Sequence, residues 1–224
     1  MNVLVLAAHP DDEVLGCGGT IARLVNEGHK VSTVIFCENA SARYDSGYEP
    51  SMNGKIEEMC RKCAKILNMD EPVFLRLSDQ KLDTYSALEM TQAVEKVLRE
   101  YRPEMVLTHH GGDINADHRV LFEATMVATR PLPNGGVKTI LTYETISATE
   151  WGIANYHPSF QPNVFYDISK TLQTKVKAFG EYYSEIREFP HPRSLEGIEV
   201  RAKDWGTRAG LLAAEPFQLV RALR

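Results

Sequence analysis

Several side chains that can bind a metal or transfer a proton stand together near the amino terminus, in His9-Pro10-Asp11-Asp12-Glu13. His9 and Asp12 are three residues apart, and a tight turn into a helix can aim two side chains at that spacing toward one point. One imidazole and one carboxylate are two of the three protein ligands that a catalytic zinc ion takes, with water in the fourth position. Asp11 lies between them and would point elsewhere, free for acid–base chemistry. Without a metal, the same acids would cap a helix and favour its dipole.

A second group of potential ligands occurs later in the chain. It contains three histidines and two aspartates: His109, His110, Asp113, Asp117 and His118. Both groups follow an apolar strand and precede a helix, and the carboxyl ends of parallel strands share one edge of an open α/β sheet. We therefore expect the two groups to meet around one divalent cation per chain. Two imidazoles and a carboxylate suit zinc, although Fe(II) and Mn(II) accept the same set.

Strands and helices that could position these groups alternate along the chain. Apolar runs predict strands, and amphipathic periodicity predicts helices. The predicted strands are 3–8, 31–36, 73–77, 105–108, 137–144 and 163–168, and the predicted helices are 14–25, 55–67, 86–101, 117–129, 169–183 and 194–214. This alternation predicts a three-layer αβα fold with a mostly parallel, Rossmann-like sheet, in a single domain over residues 1–224. Glu215-Pro216-Phe217 is expected to end the domain.

The stretch Ala8 to Glu13, after a strand and before a glycine-rich helix start, resembles the zinc-dependent de-N-acetylases of the LmbE/PIG-L type. The resemblance implies that His9 and Asp12 bind zinc, that Asp11 is the general base and that His118 is the third ligand. The family's second motif, His-Pro-Asp-His, is matched in its last two positions by Asn115-Ala116-Asp117-His118. Asn115 stands where the family often has a histidine thought to assist catalysis.

This departure leaves open which group protonates the leaving amine. His110, His109 or His191 could take that role, or Asp11 could return its proton. Asp117 could orient a ligand imidazole from the second coordination shell, or it could simply cap its helix. We assign Asp11, His110 and Asp117 to catalysis.

Five residues are candidates for substrate contacts: Arg43, Asp79, Asn115, His191 and Arg193. Arg43 lies in a long polar loop that leaves the sheet on the same edge as His9, where the family often has a sugar-contacting arginine. Asp79 follows the third strand, where the family often places a substrate-binding acid. Arg193 belongs to a proline-rich turn and could bind an anionic group. A solvated arginine, an Asx-type turn and a rigid structural turn are the respective alternatives.

The composition limits the class of protein. Twenty-five Lys and Arg against 30 Asp and Glu give a net charge of −5, which argues against a nucleic-acid partner. No apolar run is long enough to span a bilayer and the first residues read as a strand rather than a signal peptide, so we expect a cytoplasmic protein with no membrane insertion. The Cys60–Cys63 pair has C-x-x-C spacing but lies in a predicted helix, and we expect it to pack rather than to do redox or metal chemistry.

Together these observations predict a zinc-dependent hydrolase that removes the acetyl group from a small N-acetylated amino sugar or its conjugate. The sugar is implied by the resemblance alone, as is a possible homo-oligomer. A non-catalytic sugar-binding relative is one alternative, because Asn115 departs from the motif. A Rossmann-type nucleotide-binding protein is another, because Gly16-Cys17-Gly18-Gly19 follows the first strand and Glu38 ends the second. That glycine run is not G-x-G-x-x-G, and it starts too far from the strand end for a phosphate-binding turn.

Overall fold

The computed structural model describes residues 1–38, 51–131, 133, 136–153 and 155–224. The strands are β1 (Asn2–Ala7), β2 (Lys30–Cys37), β3 (Val73–Leu77), β4 (Met105–His109), β5 (Thr139–Tyr143), β6 (Val164–Asp167) and β7 (Ala214–Ala222). The helices are α1 (Asp12–Asn26), α2 (Ser51–Leu67), α3 (Ala87–Tyr101), α4 (Ala116–Ala128), α5 (Leu172–Phe179) and α6 (Leu195–Ala209). Short 3-10 turns span Leu82–Thr84 and Thr149–Trp151.

Within these ranges the strands form one seven-stranded sheet in the order β3-β2-β1-β4-β5-β7-β6. Strands β1 to β5 pair in parallel, and β7 runs antiparallel to both β5 and β6. The prediction of an α/β fold with a mostly parallel sheet is confirmed. The order reverses at β1, so the crevice beyond β1 and β4 is where a sheet of this kind binds ligands.

Strand β1 shows why the sheet has helices on both faces. Val3, Val5 and Ala7 pack into a core cluster with α1, α2, α5 and α6. The alternate residues Leu4, Leu6 and Ala8 pack into a second cluster with α3 and α4. A strand buried on both faces is apolar along its whole length, which explains the unbroken hydrophobic run in the sequence.

The glycines of α1 serve close packing. A Cβ at Gly16 would lie 2.3 Å from Cδ2 of Tyr143, whose ring is fully buried at the end of β5. Only glycine lets the helix approach the sheet this closely. The helix is also kinked at Cys17, which has non-helical backbone angles. The glycine run is thus explained by packing, without a nucleotide.

The structure corrects three predicted boundaries. Helix α2 begins at Ser51 rather than at residue 55, and α5 spans only Leu172–Phe179 of the predicted 169–183. Helix α6 ends at Ala209 because Gly210 adopts a positive φ of 69° and closes it. The segment expected to end the domain instead forms the antiparallel strand β7. Pro216 lies inside this strand, and a proline there indicates the end of an element in the sequence. Within the described ranges no helix is long and apolar enough to cross a membrane.

Candidate active site

Three potential metal ligands meet at the carboxyl edge of the sheet. His9 follows β1, Asp12 opens α1, and His118 lies in the first turn of α4. The Nδ1 of His9 is 3.3 Å from Oδ2 of Asp12, the Nε2 of His118 is 3.3 Å from the same oxygen, and the two ring nitrogens are 3.3 Å apart. All three residues are buried. The predicted meeting of the two sequence clusters is therefore what the structure shows, and we call these three residues the triad.

The outer nitrogen of His9 faces carboxylates. Its Nε2 lies 3.1 Å from Oδ2 of Asp117 and 3.2 Å from Oδ1 of Asp79. Asp117 also accepts a hydrogen bond from the backbone N–H of Leu82 on Oδ1, at 2.9 Å. These acceptors favour the tautomer protonated on Nε2, which leaves the lone pair of Nδ1 pointing into the triad.

His118 faces a different acid at ion-pair distance, without the geometry of a hydrogen bond. Its Nδ1 lies 3.2 Å from Oδ2 of Asp113, an oxygen that also accepts a hydrogen bond from the Thr149 hydroxyl at 2.6 Å. The other oxygen of Asp113 accepts from the backbone N–H of Asn115. With its proton on Nδ1, His118 also directs a lone pair from Nε2 into the triad.

The triad fits a divalent cation. Two imidazole lone pairs and a carboxylate oxygen converge on one point, and the second oxygen of Asp12, Oδ1, is buried without a hydrogen-bond partner among the described residues. Donor atoms at zinc–ligand distances and tetrahedral angles would be about 3.3 Å apart, as these three are. A cation is the group that would satisfy lone pairs arranged in this way.

The local electrostatics favour positive charge at the same point. Burial alone would raise the pKa of Asp12, but the adjacent imidazoles of His118 and His109 hold it well below its usual range. Burial would lower the pKa of His118, but Asp12 and Asp113 raise it to about 9. Without a metal the site holds its positive charge as protons, and a bound cation would take their place.

His109 packs against the triad but is not a ligand. Its ring stacks on His118 with centroids 3.8 Å apart, and its Nε2 accepts a hydrogen bond from the backbone N–H of Ala8. Its Nδ1 lies 3.0 Å from the Thr145 hydroxyl, so the ring is held as one neutral tautomer. Burial, together with the neighbouring His118, lowers the pKa of His109 to about 3.

His110, which the sequence assigns to catalysis, makes its contacts outside the triad, and its catalytic role stays a prediction. The Nε2 of His110 lies 2.8 Å from the carbonyl oxygen of Pro158, and its ring packs edge-on against Phe160. Consecutive side chains at a strand end point to opposite sides, so only one of the two histidines can face the triad. That one is His109.

Asp11 sits beside the triad in a strained conformation. Its φ is 111°, a region that few residues other than glycine adopt. Burial raises the pKa of the Asp11 carboxyl well above its usual range, and the Arg193 guanidinium opposes that rise. Strain of this kind concentrates at functional sites.

The predicted substrate-contact residues are placed differently from one another. Asp79 is 4% exposed and lies against His9. Asn115 caps α4, because its Oδ1 accepts from the backbone N–H of Asp117. His191 is half-buried, and its Nδ1 accepts from the backbone N–H of Arg193, two residues on. Arg43 lies outside the described residues. Their roles toward a substrate stay predictions.

Three contributors received no role in the sequence analysis. Asp113 was visible in the second cluster, where the Asp–His spacing could have suggested an acid that faces the outer nitrogen of a ligand imidazole. Glu13 belongs to the first motif but faces inward, and Tyr182 gives no local signal because it reaches the site from a distant segment. Only the folded chain shows their contacts.

Comparisons with known proteins agree with this geometry. The family model described as "PIG-L: GlcNAc-PI de-N-acetylase" matches residues 4–129. The uncharacterized deacetylase YaiS of Escherichia coli (strain K12) is 30% identical over 191 residues, covering 82% of this chain and 91% of that protein. The diacetylchitobiose deacetylase of Thermococcus kodakarensis is 26% identical over 195 residues, covering 84% of this chain and 71% of that protein.

A solved structure shows the same fold. The conserved protein TT1542 from Thermus thermophilus superimposes with a TM-score of 0.78 at 25% identity, over 99% of this chain and 96% of that one. The family model covers more than half of the chain, including both motifs of the site. The chain therefore belongs to the PIG-L family of deacetylases, also called LmbE-like.

Proposed function

We propose that this protein is a zinc-dependent deacetylase that hydrolyses the acetamido group of an N-acetylated amino sugar or its conjugate. The observation that carries the proposal is the triad, three converging donor atoms 3.3 Å apart with a separate carboxylate beside them. Support for the sugar comes from the relatives, among them a diacetylchitobiose deacetylase.

His9, Asp12 and His118 would hold the metal. When bound, a zinc ion would polarise the amide carbonyl and lower the pKa of a bound water toward 7. Asp11 accepts the proton of the attacking water, because it adjoins Asp12 and its carboxylate, unlike those around the two imidazoles, is paired with Arg193 and not with a ring nitrogen. Asp117 and Asp113 keep the two imidazoles in the tautomers that present lone pairs to the cation.

The protonation of the leaving amine falls to Asp11 in this proposal. Asn115 caps α4 and carries no acidic proton, and His110 is hydrogen-bonded to Pro158. His109 is neutral and committed to Ala8 and Thr145. The Nδ1 of His191 accepts the backbone N–H of Arg193, and we choose Asp11 over His191 because it returns the proton that it has accepted.

The test is acetate release by the zinc-loaded protein from N-acetylglucosamine, N,N′-diacetylchitobiose and an N-acetylglucosaminyl-inositol conjugate. We expect turnover of at least one substrate, no bound metal and no turnover in His118→Ala, and full metal with turnover reduced about 10²–10⁴-fold in Asp11→Asn. His29→Ala is the matched control, since His29 lies beyond the opposite edge of the sheet and should leave both quantities unchanged.

One result would reject this function, and another would reject the role of Asp11 in it. Sugar binding by calorimetry without acetate release would favour the non-catalytic alternative, which the loss of the motif histidine at Asn115 suggests. A rate unaffected by Asp11→Asn would remove that residue as the base.

A further inference from the structure

A segment far along the chain contacts the Asp11 carboxylate directly through Arg193 and supports its backbone N–H indirectly, through Tyr182 and Glu13. We propose that Arg193 is the positioning residue for the Asp11 carboxylate, with Tyr182 and Glu13 fixing its backbone. This role rests on the proposed function, since it matters only if Asp11 transfers the proton. It differs from the role predicted from sequence, in which Arg193 binds an anionic part of the substrate.

The side-chain contact is direct. The Nη1 of Arg193 donates to Oδ2 of Asp11 at 3.0 Å. The same guanidinium donates from Nε to the Ser147 hydroxyl at 2.6 Å and lies 3.6 Å from Oε2 of Glu185. Three anchors fix the plane of the guanidinium, so its position is set by the protein and not by a ligand.

Because of this contact, the two carboxylate oxygens of Asp11 have different surroundings. Oδ2 is held by Arg193, and Oδ1 has no hydrogen-bond partner within the part of the chain that the structure describes. When Oδ2 is fixed, the orientation of the carboxylate and therefore the direction of Oδ1 are fixed too. Proton transfer requires a carboxylate oxygen within hydrogen-bond reach of the proton that it takes.

The backbone N–H of Asp11 is held by Glu13, and Tyr182 in turn holds Glu13. The N–H of Asp11 donates to Oε2 of Glu13 at 3.0 Å, and the other oxygen of Glu13 accepts from the Tyr182 hydroxyl at 2.6 Å. Glu13 and Tyr182 are fully buried. Since a residue with φ of 111° persists only where its surroundings enforce it, these bonds account for the strained turn.

Arg193→Ala tests the proposal in the zinc-loaded protein. We expect unchanged zinc content, KM within about twofold of wild type, and kcat reduced about 100-fold, because misplacing a reacting group by an ångström costs about that much. Free guanidinium chloride at tens of millimolar should restore part of kcat. Arg187→Ala is the matched control, because Arg187 lies in the same segment and its guanidinium donates, among the described residues, to the backbone carbonyls of Ser184 and Ile186.

A double-mutant cycle separates positioning from substrate binding. If Arg193 acts through Asp11, Arg193→Ala should lower kcat in the wild-type background but not in Asp11→Asn. A rise in KM that persists in the Asp11→Asn background would show that Arg193 binds substrate and would overturn the proposal.

A crystal structure of Arg193→Ala gives a readout that does not depend on activity. We expect the Asp11 carboxylate to leave its wild-type position while the triad stays in place. If wild type releases no acetate but Asp11 still moves, the proposed function fails and the contact stands. An Asp11 side chain that stays in place without Arg193 would refute the positioning role whatever the activity.

Discussion

At the scale of single residues, the site is a set of carboxylates with separate tasks. Asp12 offers a lone pair to the metal position, Asp117 and Asp113 each face the outer nitrogen of one imidazole, and Asp11 is held aside by Arg193. All are aspartates, and their environments alone distinguish them. Under the proposed function, the same residue type would bind metal, orient a ligand or transfer a proton, according to which atom each oxygen faces.

Asp117→Asn should weaken zinc binding about 10–100-fold, because an amide is a poorer acceptor for the Nε2–H of His9. The His9 ring is then less strongly held in the tautomer whose Nδ1 lone pair points into the triad. Competition with a chromophoric chelator measures the affinity. Asp83→Asn, an exposed acid in the nearby 3-10 turn, removes the same charge and should change nothing. Equal affinities for Asp117→Asn and wild type would show that the His9 tautomer does not depend on this acid.

At the scale of elements, the site depends on how closely α1 approaches the sheet. Asp12 opens α1, and Gly16 lies one turn later against the ring of Tyr143. Tyr143 in turn donates from its hydroxyl to the carbonyl of Leu6 at 2.9 Å, and its ring contacts His109. The glycine that brings the helix close is therefore linked by packing to the residues around the triad.

Gly16→Ala should destabilise the fold by about 1–3 kcal/mol, because its Cβ overlaps the buried Tyr143 ring and forces a shift. Gly54→Ala is the matched control. A Cβ there meets no atom of the described residues within 4 Å, and Gly54 lies inside α2, so alanine should stabilise the fold by about 0.5–1 kcal/mol. Urea unfolding of both variants measures the difference, and equal midpoints would contradict the packing argument.

At the scale of the whole molecule, distant parts of the chain meet at a buried ion pair. The Lys175 ammonium, on α5, donates to Oε1 of Glu215 on β7 at 2.6 Å and to the carbonyl of Leu15 on α1 at 2.8 Å. Glu215 also accepts from the backbone N–H groups of Gly19 and Thr20. The pair joins the first helix, a late helix and the last strand in one network.

Lys175→Met should lower the free energy of unfolding by about 3–5 kcal/mol, because it leaves Glu215 buried without its cation. Lys177→Met, two residues on and exposed, should stay within about 0.5 kcal/mol of wild type. Denaturant unfolding distinguishes the two. A Lys175→Met variant as stable as wild type would mean that the backbone N–H groups alone satisfy Glu215.

The amino-acid sequence by itself determined the fold class, the two ligand clusters and the edge of the sheet where they meet. Those features depend on local patterns, namely hydrophobic periodicity and the polar residues that follow each strand. Each of these patterns is contained within a short stretch of the chain. His9 and Asp12 could be chosen from their spacing at a strand end and a helix start, whereas His118 was selected among the histidines of the second cluster by the resemblance to the LmbE/PIG-L family.

Only the tertiary structure decided which neighbours serve these residues. It placed His109 rather than His110 against the triad, turned Arg193 onto Asp11 and added β7 beyond the predicted end of the domain. These outcomes depend on contacts between residues up to 182 positions apart, such as Asp11 with Arg193. The direction of a side chain at a strand end, and the partner that reaches it from elsewhere, are set by packing across the whole chain, which no local pattern records.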